Sequence, residues 1–200
     1  MGKRKIILLI LSILFISFVP VVALNKLSIG SENKNKDVKT ETPQNDRQYI
    51  VKVGDTAPDF EMQLPDGEKV KLSSQRGKIV MLQFTASWCS VCRKEMPFIE
   101  KNIWQKHKNN PKFTLYGVDR DEPAKIVKKF VAQTAVTYPI GLDPNADIFG
   151  LYALKQAGIT RNVIIDENGK IVKLTRLYDE NEFSEMVALI DKLLTEISNK

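Results

Sequence analysis

Apolar residues fall along this chain in several rhythms, and each predicts a different element. A strongly apolar run, interrupted by Ser12 and Ser17, occupies residues 6–19, directly after Lys3, Arg4 and Lys5. Residues 26–48 carry almost no large apolar side chains and are rich in Asn, Lys, Ser, Glu and Thr, a composition that cannot bury enough surface to order itself. From Tyr49 onward, short apolar runs alternate with helical periodicity. Residues 60–64 and 69–72 form a strand pair around Pro65-Asp66-Gly67, a turn sequence. Residues 79–85 are an apolar, partly β-branched run of the length of a buried strand. The pattern then predicts a helix over 90–106, with Met96, Ile99 and Ile103 on one face and a kink at Pro97. Residues 113–119 read as another strand, and Pro123 opens a helix running to about Ala135, since proline suits a first turn. A short strand at 138–142 ends at Asp143-Pro144, and a short helix covers about 146–152. Residues 163–166 and 171–175 flank Asn168-Gly169, a hairpin signal. Phe183, Met186, Val187, Ile190, Leu193, Leu194 and Ile197 recur at spacings of three and four and mark a closing helix.

This order predicts an α/β fold. A strand–helix–strand unit implies parallel pairing through a right-handed crossover, and the hairpin adds antiparallel strands. The expectation is a mixed sheet with helices on both faces. Residues 1–25 are then a leader, 26–48 a flexible polar linker and 49–200 the folded domain.

The leader predicts the compartment. A basic start, an apolar core and Val21-Val22-Ala23 make an export signal. The uncharged stretch 6–25 is also about long enough to span a bilayer, so a cleaved signal peptide and a retained signal anchor both remain open. Either way the positive start stays inside and the rest crosses, placing the domain in the periplasm or on the outer face of the cytoplasmic membrane. Net charge is +6, but residues 1–46 hold seven basic and four acidic residues, so half of the excess lies outside the expected domain. No basic stripe with interleaved aromatics is present, which argues against nucleic-acid binding.

The chain has two cysteines, Cys89 and Cys92, where a buried strand is expected to turn into a helix. A helix N-terminus carries unpaired N–H groups and a partial positive charge, so a thiolate there is stabilised and its reactive fraction at neutral pH rises. Cys92 lies nearly one turn further on, where it can attack a mixed disulfide formed at Cys89. This makes Cys89 the attacking sulfur and Cys92 the resolving one. A closed four-ligand zinc site is not available, because His107 is the chain's single histidine. Haem attachment needs a histidine directly after the second cysteine, and Arg93 stands there.

The stretch Val53-Gly54-Asp55-Thr56-Ala57-Pro58-Asp59-Phe60, then Leu72-Ser73, Gly77-Lys78 and Phe84-Thr85-Ala86-Ser87-Trp88-Cys89-Ser90-Val91-Cys92-Arg93-Lys94-Glu95-Met96-Pro97, resembles the TlpA/ResA-like thiol–disulfide oxidoreductases of the redoxin (AhpC/TSA) branch. The resemblance covers 49–200. It implies a thioredoxin-like fold with a central mixed sheet flanked by helices and an N-terminal β-hairpin extension. It also implies an exported or membrane-tethered domain that reduces protein disulfides, often during cytochrome c maturation, with a membrane protein as electron donor and no cofactor beyond the redox-active cysteine pair. Trp88 matches the aromatic beside the active site. Glu95 matches the family's acidic residue near the thiols, where a carboxylate could exchange protons with Cys92; the alternative is a solvated helix charge. Gln83 stands where thioredoxins proper place a buried acid, and it cannot titrate. The segment Gly158-Ile159-Thr160-Arg161-Asn162-Val163-Ile164-Ile165-Asp166 matches the loop and strand facing the cysteines, which gives Ile159, Thr160 and Arg161 as client-binding residues. The family places a cis-proline where Thr160 stands. Without it there is room for a metal or another ligand, and Arg161 could supply positive charge near Cys89 or be a solvated strand residue.

Two other readings use the same cysteines. A thiol peroxidase of the redoxin class needs Thr or Ser three residues before its reactive cysteine and Pro seven before; relative to Cys89 these positions hold Ala86 and Leu82, and relative to Cys92 they hold Cys89 and Thr85. A non-enzymatic copper carrier would exploit two thiolates, which suit soft metals, but carriers of this fold add a distal histidine, whereas His107 is expected at the surface.

Overall fold

The computed structural model describes residues 47–199, so the leader and nearly all of the linker lie outside the described residues. Seven strands form one sheet: β1 (Glu61–Gln63), β2 (Lys69–Lys71), β3 (Ile79–Thr85), β4 (Phe113–Arg120), β5 (Ile140–Asp143), β6 (Arg161–Ile165) and β7 (Ile171–Arg176). Their order across the sheet is β2-β1-β5-β4-β3-β6-β7. β3, β4 and β5 are parallel, whereas β6, β7, β1 and β2 add antiparallel pairs at the two sides. The expected hairpin extension is β1–β2, and it joins the sheet through β5.

The helices are α1 (Ser90–Ile99), α2 (Gln105–His107), α3 (Ala124–Thr134) and α4 (Glu180–Ser198). β3 is buried along its whole length, and its alternating side chains feed two cores. Val80, Leu82 and Phe84 face one core with Phe149 and Tyr152. Ile79 and Met81 face the other, which holds Met96 and Ile99 of α1, Val127 and Phe130 of α3, and Phe183, Met186 and Ile190 of α4. The long helices therefore share one face, contrary to the expectation of helices on both. The steps β3→β4 and β4→β5 run in the same direction, so two right-handed crossovers put α1 and α3 on the same side. The opposite face is covered by residues around Tyr49 to Phe60 and by the segment 144–153. There the expected helix at 146–152 resolves into two 3₁₀ turns, Pro144–Ala146 and Phe149–Leu151, with Asn145 and Ala146 at positive φ breaking continuity.

The helix expected over 90–106 is also subdivided. α1 contains Pro97 and passes into a π-helical stretch, Glu100–Trp104, before α2. Proline contributes no N–H to the helical ladder, and a widened turn re-registers the bonds that follow. α4 starts at an Asp179 N-cap whose side chain accepts the Glu182 N–H at 2.9 Å. The hairpin β6–β7 closes through a loop in which Gly169 takes φ +83°, the left-handed region that glycine enters without steric cost. Among the described residues, no helix is long and apolar enough to cross a membrane.

Leu82 sits wholly buried in the central strand. Leu82→Ala is expected to lower unfolding free energy by about 2–5 kcal/mol, the range for a buried leucine that leaves a cavity. Urea denaturation followed by circular dichroism measures it.

Candidate active site

β3 delivers the chain to the sheet's C-terminal edge, and α1 begins within five residues. Cys89 is the N-cap of α1: its backbone is extended, and its Sγ accepts the Cys92 N–H at 3.1 Å. The two sulfurs are bonded as a disulfide, with Cα atoms 5.3 Å apart. Cys92 is fully buried and Cys89 is 7% exposed, so Cys89 is the sulfur nearer solvent. The segment before the motif is clamped. Both the N–H and the hydroxyl of Ser87 donate to the Glu122 carboxylate, at 2.5 and 2.6 Å, and Arg93 Nε donates to the Ser87 carbonyl at 2.7 Å.

Glu95 lies one turn after Cys92, on the same side of α1, a spacing that makes helical side chains neighbours. It is 2% exposed, which removes the reading of a solvated helix charge. Asn162 Nδ2 donates to its Oε1 at 2.7 Å, and Gln83 Nε2 lies 3.5 Å from its Oε2. Tyr138 completes the chain by donating its hydroxyl to Gln83 Oε1 at 2.6 Å. Burial pushes the Glu95 carboxyl up to about 7, and the two amide hydrogen bonds restrain the rise by favouring the ionised form. A second acid, Asp119, stands at the end of β4 opposite Thr85, wholly buried. Burial, then the nearby Glu122 and Asp143 carboxylates, push it up to about 8.

The loop before β6 brings Thr160 against both sulfurs. Thr160 is 3% exposed, and its Oγ1 lies 3.2 Å from Cys89 Sγ and 3.3 Å from Cys92 Sγ. Its carbonyl accepts the N–H of Leu177, an exposed residue at φ +66°. Ile159 is buried beside it. Arg161 is wholly buried, which removes the reading of a solvated strand residue. Its Nε donates to the Gly158 carbonyl at 3.0 Å, and its guanidinium lies 4.3 Å from the centre of the Tyr49 ring. Arg120 holds the same loop from the other side, donating through Nη1 to the carbonyls of Ala157 at 3.0 Å and Lys155 at 3.3 Å. Trp88 is 60% exposed, and Arg120 lies over both its ring and that of Phe149. Trp88, Arg120, Phe149, Arg161 and Tyr49 thus form an alternating column of rings and guanidinium groups, an attractive arrangement because ring faces are electronegative.

His107 is remote from this cluster. It is partly buried rather than fully at the surface, with Nε2 2.8 Å from Asp191 Oδ1 of α4 and its ring edge against Phe113. Among the described residues, no group of three or more His, Cys, Asp or Glu side chains is arranged to hold a metal ion. Asn162, Tyr138, Asp119 and Glu122 were not singled out from sequence. Asn162 and Asp119 carried a usable signal, a polar residue inside or ending a run otherwise apolar; Glu122 and Tyr138 did not.

A family model for redoxins matches residues 52–190. A ResA thiol–disulfide oxidoreductase from Bacillus cereus is 32% identical over 123 residues, which cover 62% of this chain and 69% of the relative. Among solved structures, a candidate protein disulfide isomerase from Bacteroides thetaiotaomicron is 65% identical with a TM-score of 0.73, covering 74% of this chain and 93% of that one. A candidate DsbE thiol:disulfide interchange protein from Chlorobium tepidum is 29% identical with a TM-score of 0.64, covering 72% and 99% respectively. A paired Cys89–Cys92 at the start of α1, in a thioredoxin-like fold that these relatives share, makes this chain a member of the redoxin family.

Proposed function

We propose that this thiol–disulfide oxidoreductase works as a reductase of protein disulfides outside the cytoplasm, cycling through a mixed disulfide at Cys89. The observation that carries the reading is the disulfide itself: it closes at a helix N-cap with Cys89 towards solvent and Cys92 buried behind it. In the reduced enzyme the Cys89 thiolate attacks one sulfur of a client disulfide. A bond forms between Cys89 and that sulfur, and the client's other sulfur leaves and takes up a proton. Glu95 accepts the Cys92 proton, and the resulting thiolate attacks Cys89 Sγ. The client's remaining sulfur leaves as a thiol, so two electrons have passed to the client and Cys89–Cys92 is the oxidised product. A carboxyl held near 7 is matched to this task, since a general base works best with its pKa close to the operating pH.

In this reading Trp88 is the exposed part of the client-facing rim, Thr160 meets the client's sulfur from beside Cys89, and Ile159 and Arg161, whose side chains are buried, contribute through their backbone. The leader pattern at residues 1–25 supports a site outside the cytoplasm, as an anchored or exported domain. A membrane protein relaying cytoplasmic electrons is the proposed donor that returns Cys89–Cys92 to the dithiol. The reducing direction rests on the resemblance to ResA-type proteins.

Direction is tested by equilibrating the chain in defined thiol–disulfide buffers and quantifying the Cys89–Cys92 bond by alkylation and mass spectrometry. A potential near about −270 mV is expected; one near about −120 mV would mark an oxidant that donates disulfides. In a second test, reduced Cys92→Ser is expected to remain covalently linked to a disulfide-containing probe such as insulin, seen on non-reducing gels, whereas Cys89→Ser gives no adduct. Glu95 makes a separate prediction. Its carboxyl is raised in the folded state from 4.5 to about 7. Between these values it is ionised only in the unfolded chain, so it costs the folded state progressively more as pH rises from 4.5 and levels off above 7. Glu95→Gln should therefore gain stability relative to the parent between pH 5 and 8, by about 2.5 kcal/mol, read as the difference between urea curves at the two pH values. It should also slow resolution of the mixed disulfide and remove the rise in that rate through neutral pH.

A further inference from the structure

Two sulfurs and one hydroxyl meet at the centre of this site. Among the described residues, the hydrogen-bond partners of Cys89 Sγ are the Cys92 N–H and Thr160 Oγ1, and Thr160 Oγ1 also reaches Cys92 Sγ. The hydroxyl is held in place: Thr160 is buried, its carbonyl is tied to Leu177, and the residue after it opens β6 and pairs with Phe84 of β3. A hydroxyl has one proton to give and lone pairs with which to accept. It therefore cannot donate to both sulfurs at once, and the chemistry of the reduced state decides the direction. A thiolate accepts only, and a thiol can donate.

We propose that the Thr160 hydroxyl is a catalytic hydrogen-bond donor to the Cys89 thiolate, while accepting from the Cys92 thiol, so that one side chain assigns different protonation states to the two sulfurs. Opening the disulfide by two electrons then leaves Cys89 as the anion, held by the Cys92 N–H and the Thr160 O–H. Cys92 takes a proton and directs it at Thr160 Oγ1. When Cys89 is consumed in the mixed disulfide it no longer needs a donor. The Thr160 O–H is then free to turn to Cys92 as that sulfur loses its proton and attacks. The charged and titratable side chains around the motif are Arg93, Lys94 and Glu95 on α1, Asp119 and Arg120 on β4, Glu122 just after it, and Arg161 on β6. Among the described residues none of them hydrogen-bonds to either sulfur: Arg93 and Glu122 engage Ser87, Arg93 also Gln133, Arg120 and Arg161 the 155–158 carbonyls, and Glu95 Asn162 and Gln83, while Lys94 lies over the Tyr178 ring. A proline at this position would carry no donor at all. Thr160 thus replaces a purely steric element with a chemical one.

The inference rests on the dithiol exchange assigned above, but its test needs no client and no direction of electron flow. The reduced chain is alkylated with iodoacetamide across a pH series, and the midpoint for Cys89 is read by mass spectrometry. Hydrogen bonds to charged groups are among the stronger ones, so Thr160→Val, which keeps the shape and deletes the donor, should raise the midpoint by about one to two pH units. The potential of the pair should move by about 30 to 60 mV to more negative values, because the thiolate in the reduced form loses stabilisation. Thr160→Ser should retain the midpoint of the parent. Thr160→Ala is measured beside the valine variant, so that a folding defect in one leaves the other to report. A midpoint unmoved in both Val and Ala variants, or a Ser variant displaced as far as they are, overturns the proposal. A failure of client reduction with the Ser/Val contrast intact would instead count against the reductase reading alone.

Discussion

The start of a helix is where this molecule places its reactive sulfur, and the buried strand before it fixes that point in space. β3 has neighbours on both sides and apolar side chains on both faces, so its end cannot drift without breaking two cores. α1 begins there with free N–H groups, and Cys89 takes up one of them. Everything else at the site is arranged around that junction: Ser87 tethered to Glu122 behind it, Thr160 across from it, and Glu95 one turn beyond it.

The two faces of the sheet divide the labour. On the side of the three long helices, Glu95 is held by Asn162 and Gln83, and Gln83 in turn by Tyr138. These are neutral partners for the acid proposed to gain and lose a proton. They fix the carboxylate without pinning it in one charge state, as an arginine would. On the other side, Arg120 and Arg161 interleave with Trp88, Phe149 and Tyr49 and hold the carbonyls of residues 155–158. The buried acid and the loop facing the sulfurs are thus supported by separate sets of contacts.

Much of this arrangement was legible before the structure. The strand at 79–85, the cysteine pair after it and the closing helix followed from apolar spacing and from the position of Cys89-Ser90-Val91-Cys92. Glu95 and Thr160 were reached through family resemblance, and the geometry then gave each a specific partner. Burial of Arg161 was not legible, because a charged residue opening an apolar strand reads equally well as a solvated edge. Its cover comes from Tyr49, more than a hundred positions earlier in the chain. The same holds for the layering. Local periodicity finds a helix but does not say on which face it lands; that depends on which strands its crossover connects. The turns at 144–151 were missed as such because positive φ at Asn145 and Ala146 interrupts a segment whose apolar spacing looks helical.

The stapled loop before Thr160 has a consequence for the choice of client. With the carbonyls of Lys155, Ala157 and Gly158 already engaged, the rim has little conformational freedom left to surrender when a polypeptide docks. Nearly all of the ordering cost of the encounter then falls on the incoming chain. In the proposed function, that cost is smallest for disulfides in client segments that are already extended, so the two arginines bear on binding by fixing the backbone of the rim before a client arrives.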